Sequence, residues 1–131
     1  MLVQLRHAPL PVIGFLAVHC WLVSSDDAGV CHRWEVWQIK NAGGHSIGHL
    51  HCDLKQPEDG VGGGPSRLAA EWRGAEALRI LEVLNMPYPH SHRYRYWPGP
   101  NSNSFVAWVL REAGIAYRLP WQAFGKRYRT P

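Results

Sequence analysis

Residues 12–23, "VIGFLAVHCWLV", are apolar at almost every position and show no polar alternation. A short continuous apolar run of this kind predicts a central strand covered on both faces. One face of that strand carries Phe15, Ala17, His19, Trp21 and Val23. "SSDDAG" (24–29) is a turn cluster, and "CHRWEVWQIK" (31–40) alternates as a second strand does. The two are expected to form a hairpin. "NAGG" (41–44) is another turn, and "HSIGHLHCDL" (45–54) reads as a third strand with His45, Ile47, His49 and His51 on one face. "QPEDGVGGGPS" (56–66) is expected to be a flexible connector or a lid over a groove.

From Pro65 the pattern becomes helical. "PSRLAAEWRGAEALRILEVLN" holds good helix formers, with Leu78, Leu81, Val83 and Leu84 near helical spacing and Gly74 as a point of division. "MPYPHSH" (86–92) ends that helix, and "RYRYW" (93–97) is a short aromatic strand candidate. A second helix is expected from about Asn103 to Ala113, with Phe105, Val106, Trp108, Val109 and Leu110 as its apolar members and Gly114 as its stop. Strands first and helices after give an α+β class, a small antiparallel sheet packed against helices. The length of 131 residues suits a single domain over 1–131.

Composition changes this picture little. The net charge of +4 is mild, and the basic residues gather at 90–95 and 126–129. "HSHRYRYW" (90–97) mixes basic and aromatic residues without a nucleic-acid motif, so no nucleic acid is expected as a partner. The three cysteines, Cys20, Cys31 and Cys52, form neither a zinc spacing nor a disulfide framework, and read as buried reduced thiols. The apolar run at 10–23 is too short to span a bilayer and lacks a small-residue cleavage site, which points to no membrane-spanning segment and to the cytoplasm. His45, His49 and His51 with Cys52 and Asp53 have some of the makings of a metal site, but H-x-H alone is weak, and neither a metal nor a cofactor is expected.

The chemistry concentrates at "YWPGPNSNSFVAWVL" (96–110). Pro98 and Pro100 force an extended approach, and Asn101, Ser102 and Ser104 are all suited to opening a helix. The plain role of a serine there is capping. The first turn also offers amide donors and a partial positive charge, which can stabilise an anion. A hydroxyl nucleophile still needs a base, and His19, a polar ring in the most apolar strand, is the candidate.

"AVHCWLV" (17–23), "RWEVWQ" (33–38), "WPGPNSNSFVAWVL" (97–110) and "LPWQAFGKRY" (119–128) together resemble a bacterial domain family without assigned function, and that resemblance implies envelope association as the alternative to the cytoplasm. "NSNSF" (101–105) is also distantly similar to the N-C-N-[ST]-F motif of PPPDE-type permuted papain-fold peptidases. Asn101, Ser102, Phe105 and Val106 match the N-C-E-H-F-V motif of lecithin–retinol acyltransferase-like proteins. The resemblance implies a permuted papain-like fold in which His19 is the base and Ser102 stands at the place of the nucleophilic Cys. A Ser hydroxyl is not ionised near neutral pH as a thiol partly is, so the activity is altered or lost. Gln38 is the first candidate for orienting His19, with Glu35 the alternative if the hairpin has the opposite parity. Asn101, His32 and Trp21 are the expected binding residues.

The expectation is therefore a hydrolase or acyltransferase acting on an amide, thioester or ester, with Ser102 attacking and His19 accepting its proton. The alternative is a non-catalytic binding domain built on the same scaffold. Either would meet a peptide, lipid or acyl substrate. The sequence leaves its identity and the oligomeric state open.

Overall fold

In the computed structural model of the chain, residues 1–129 are described, with the backbone alone at Gly14 and Phe15, so the expected face position of Phe15 lies outside the described side chains. Eight elements follow in order: β1 (Leu2–Leu10), β2 (Gly14–Ser25), β3 (Cys31–Val36), β4 (His45–Ile47), β5 (Leu50–Cys52), β6 (Arg67–Arg73), α1 (Gly74–Leu84) and α2 (Ser102–Glu112). The strands form one antiparallel sheet in the order β4-β5-β3-β2-β1-β6, and the class is α+β.

The unbroken apolar run is the central strand β2, flanked by β1 and β3 and buried from Ala17 to Ser24. The β2–β3 hairpin pairs Leu22 with Trp34 and Val23 with Arg33. That register sorts the side chains into two faces. Val18, Cys20 and Leu22 join Val36 and the partly buried Trp34 in the main core, against Ile80, Val83 and Leu84 of α1 and Phe105, Val106 and Val109 of α2. The opposite face carries Ala8, Trp21 and Val23 in a smaller cluster, with His19, Arg33 and Glu35 beside them.

Several elements differ from expectation. β1 is a full strand that the sequence pattern did not announce. The turn after it takes Pro11–Ile13, so the central strand begins at Gly14. Residues 67–73 form β6 rather than the start of a helix, because pairing with β1 outweighs the helix propensity of Leu68, Ala69, Ala70 and Glu71. Gly74 opens α1 instead of dividing it, and the buried face is Ala77, Ile80, Val83 and Leu84, leaving Leu78 exposed. Residues 45–52 make a tight hairpin, not one strand, with Ser46 opposite His51 and His45 opposite Cys52. The 93–97 segment is irregular. The cysteines are free, but only Cys20 is fully buried. Cys31 is exposed and Cys52 half-buried.

Candidate functional site

The 96–104 elbow approaches α2 through two cis peptide bonds, Trp97–Pro98 and Gly99–Pro100. Asn101 then caps the helix. Its side-chain oxygen accepts from the amides of Asn103 (2.9 Å) and Ser104 (3.1 Å), while the Ser104 hydroxyl oxygen accepts from the Asn101 amide (3.1 Å). This reciprocal arrangement is a capping box. The Asn101 side-chain Nδ2 donates to the carbonyls of Tyr96 (2.7 Å) and Phe124 (3.0 Å), binding the elbow to the C-terminal tail. That approach is close enough to require Gly125: its φ is +94°, and a Cβ there would collide with the Asn101 side chain.

The start of α2 also completes the edge of β2. The β2–β3 pairing covers only Leu22–Ser25, so the backbone groups of residues 18–20 on that edge need other partners. Asn103 provides them as a strand would: its oxygen accepts from the Cys20 amide and its nitrogen donates to the Val18 carbonyl, both at 2.9 Å. The Ser102 hydroxyl donates to the Cys20 carbonyl at 2.5 Å. The Val18 amide donates to the Gln122 carbonyl at 3.0 Å.

His19 lies beside this junction. Its Nε2 stands 2.8 Å from Glu35 Oε1, and both side chains are buried. Arg33, fully buried, donates through an Nη to the same oxygen at 2.9 Å. Its Nε lies 2.6 Å from Glu35 Oε2 but not in line with it, so that contact is an ion pair rather than a hydrogen bond. Burial acts to raise the Glu35 carboxyl, yet the hydrogen bonds and positive charges of His19 and Arg33 outweigh it and hold the group down at about 2. An ionised carboxylate only accepts, so the hydrogen bond fixes the proton on His19 Nε2 and leaves the lone pair of the neutral ring on Nδ1. The ring packs against Trp21 (centroids 5.7 Å apart) and Trp37 (5.2 Å).

His19 and Ser102 both line a small cavity of about 50 Å³, with Asn101, Asn103, Tyr94 and Phe124 among its other walls. It has room for a few water molecules. The Ser102 hydroxyl is directed at the Cys20 carbonyl. Asn101 takes up the amides of residues 103 and 104, so the Ser102 amide is the first-turn donor that the cap leaves unused.

The remaining residues named from sequence fall elsewhere. Gln38 is exposed beyond the end of β3. The hairpin parity places Glu35, not Gln38, on the His19 side. Trp21 is fully buried behind His19, donating to the Pro57 carbonyl at 2.9 Å. His32 projects from the other face of β3 and bonds Asp53. Sequence reasoning did not single out Asn103 or Arg33. Asn103 sits inside the elbow motif, and Arg33 shares the period-two spacing with Glu35, which was the available signal. The Cys20 thiol lies on the helix side of the sheet, where burial pushes it up to about 12, so it is no nucleophile.

A family model described as a protein of unknown function, DUF3750, matches residues 1–128. The chain belongs to the DUF3750 family. The match takes in the His19 strand, the Glu35 strand and the elbow together. Searches of curated proteins and of solved structures returned no match. Among the described residues, no helix is long and apolar enough to cross a membrane.

Proposed function

We propose that this DUF3750 domain is a hydrolase or acyltransferase for amide, thioester or ester bonds, with Ser102 as nucleophile and His19 as base. The reading also takes the scaffold to be of the permuted papain-like kind, with Ser102 where those enzymes carry Cys. One observation carries it: His19, held by the buried Glu35 carboxylate, lines the same cavity as Ser102 at the N-terminus of α2. A carboxylate that fixes the tautomer and orientation of the ring is what a general base needs. In the reaction Ser102 Oγ bonds to the acyl carbon, its proton passes to His19 Nδ1, and the leaving group departs with that proton. Water or an acceptor thiol, amine or alcohol then takes the acyl group by the reverse sequence. The Ser102 amide serves the developing oxyanion. Attack requires the hydroxyl to turn from the Cys20 carbonyl toward His19.

The hydrogen bond from Ser102 to the Cys20 carbonyl favours a second reading, a non-catalytic domain that binds a peptide, lipid or acyl group. A fluorophosphonate probe separates the two. The catalytic reading expects covalent labelling mapped to Ser102, absent in Ser102→Ala and at least about tenfold slower in His19→Ala. Folded wild-type protein that stays unlabelled, together with a Ser102→Cys thiol that reacts with iodoacetamide no faster than a free thiol, assigns the domain to binding.

A further inference from the structure

Of the histidines that suggested a metal site from sequence, His49 and His51 are tied up in the fold. The rings of His49 and His51 bond the carbonyls of Trp37 (2.8 Å) and Ile39 (3.0 Å), and the second nitrogen of His51 meets the Ser46 hydroxyl (2.6 Å). Cys52 and Asp53, named with them, converge on a different histidine instead. An imidazole nitrogen of His32, the Cys52 sulfur and an Asp53 carboxylate oxygen all lie within 4.8 Å of one another.

Three features of the backbone build this cluster. The β3–β5 register pairs Trp34 with Cys52, which puts His32 and Cys52 on the same face of neighbouring strands. Strand alternation would send Asp53 to the other face, but its φ of +63° breaks the alternation. One carboxylate oxygen then closes the ladder by accepting from the Arg33 amide (2.9 Å), and the other reaches His32 Nδ1 (2.7 Å). Gly44 packs its backbone onto residues 52–53 so tightly that a Cβ would come within 2.5 Å of the Cys52 carbonyl oxygen. The cluster opens into a hollow of about 780 Å³ between the β3–β5–β4 sheet and α1, lined by Trp34, Ile47, Leu50 and Leu81 among others. This is the helix side of the sheet, across from Glu35.

We propose that His32, Cys52 and Asp53 form a binding site for a thiophilic divalent cation of the zinc type. Imidazole, thiolate and carboxylate are together the donor set zinc takes, and three protein ligands leave a coordination position open toward the hollow. Tetrahedral coordination brings donor atoms to about 3–4 Å apart, so the ligands close in by about an ångström on binding. His32 is half-exposed and free to make that adjustment. The cation replaces the proton on the Cys52 sulfur, which leaves to solvent, and the Asp53 carboxylate exchanges its hydrogen bond with His32 for a share of the metal.

Cobalt(II) titration of the whole chain tests the assignment, since cobalt reports thiolate ligation by a sulfur-to-metal charge-transfer band. One equivalent per chain is expected to produce that band, and zinc to displace it stoichiometrically. Cys52→Ser abolishes the band, and His32→Ala and Asp53→Asn weaken binding at least about tenfold. Cys31→Ser, which alters the exposed thiol next to His32, leaves binding unchanged. No band in the folded wild type overturns the proposal. So does a band that survives in Cys52→Ser and vanishes in Cys31→Ser. Circular dichroism of each variant separates loss of ligand from loss of fold.

Discussion

Glu35 shows how one buried charge sets the behaviour of its neighbours. The carboxylate is fully buried, and it stays ionised only because His19 and Arg33 reach it together. Its folded pKa is depressed from 4.5 to about 2. A carboxyl depressed in this way stabilises the folded state at pH values above its ordinary one, and that contribution is lost as pH falls toward about 2. Urea unfolding should therefore show wild-type stability declining between those two values, while Glu35→Gln, with no such proton to take up, follows a flatter curve. At neutral pH Glu35→Gln strands the Arg33 guanidinium without a counter-charge and should cost about 3–5 kcal/mol. Equal stability of mutant and wild type at neutral pH would remove the charge pair from this account. The choice between Glu35 and Gln38 was not legible from sequence because it depends on hairpin parity. "SSDDAG" marks a turn without fixing its length, and a slip of one residue exchanges the two faces.

At the scale of elements, the start of α2 is both a helix cap and a substitute strand edge. Asn103 satisfies the Cys20 amide and the Val18 carbonyl, and also donates to the Phe124 carbonyl at 2.9 Å. Asn103→Ala leaves buried β2 backbone groups without partners, at roughly 1–3 kcal/mol for each. Ser102→Ala removes one donor from the Cys20 carbonyl and should cost less, about 1 kcal/mol. Denaturant midpoints would check the order, and Asn103→Ala within about half a kcal/mol of wild type would show that water restores the edge. The elbow and its helix were legible because their signals are local, two prolines followed by capping residues. β1 and β6 were not. In β1 the buried Val3, Leu5 and Ala8 alternate poorly around Arg6, and the register shifts near its end. "RLAAEWR" has helical composition, and only its partner strand, far away in sequence, makes it β.

For the molecule as a whole, the two helices among the described residues cover one face of the sheet, and the other face needs a different cover. The 56–66 segment supplies it. Val61 packs on Ala8, Trp21 and Val23, the Trp21 indole donates to the Pro57 carbonyl, and one Arg33 Nη donates to the carbonyls of Gln56 (2.8 Å) and Asp59 (2.7 Å). The far end is held where Ser66 donates to the Glu58 carbonyl at 2.6 Å and accepts from Arg6 at 3.2 Å. The glycines and prolines predicted a flexible connector or a lid over a groove; the hydrogen bonds instead fasten the segment on this sheet face as a cover, a lid in that sense alone. Arg33 therefore couples the lid to the Glu35–His19 pair, because the same guanidinium serves both. Trp21→Phe keeps the ring and deletes the donor to Pro57. Hydrogen exchange should then quicken about fivefold at amides of the 56–61 segment, the equivalent of one hydrogen bond worth roughly 1 kcal/mol, with α2 amides unchanged. A rise of the same size throughout α2 would mean that the indole supports the whole core, and the lid would lose its standing as a separately opening unit.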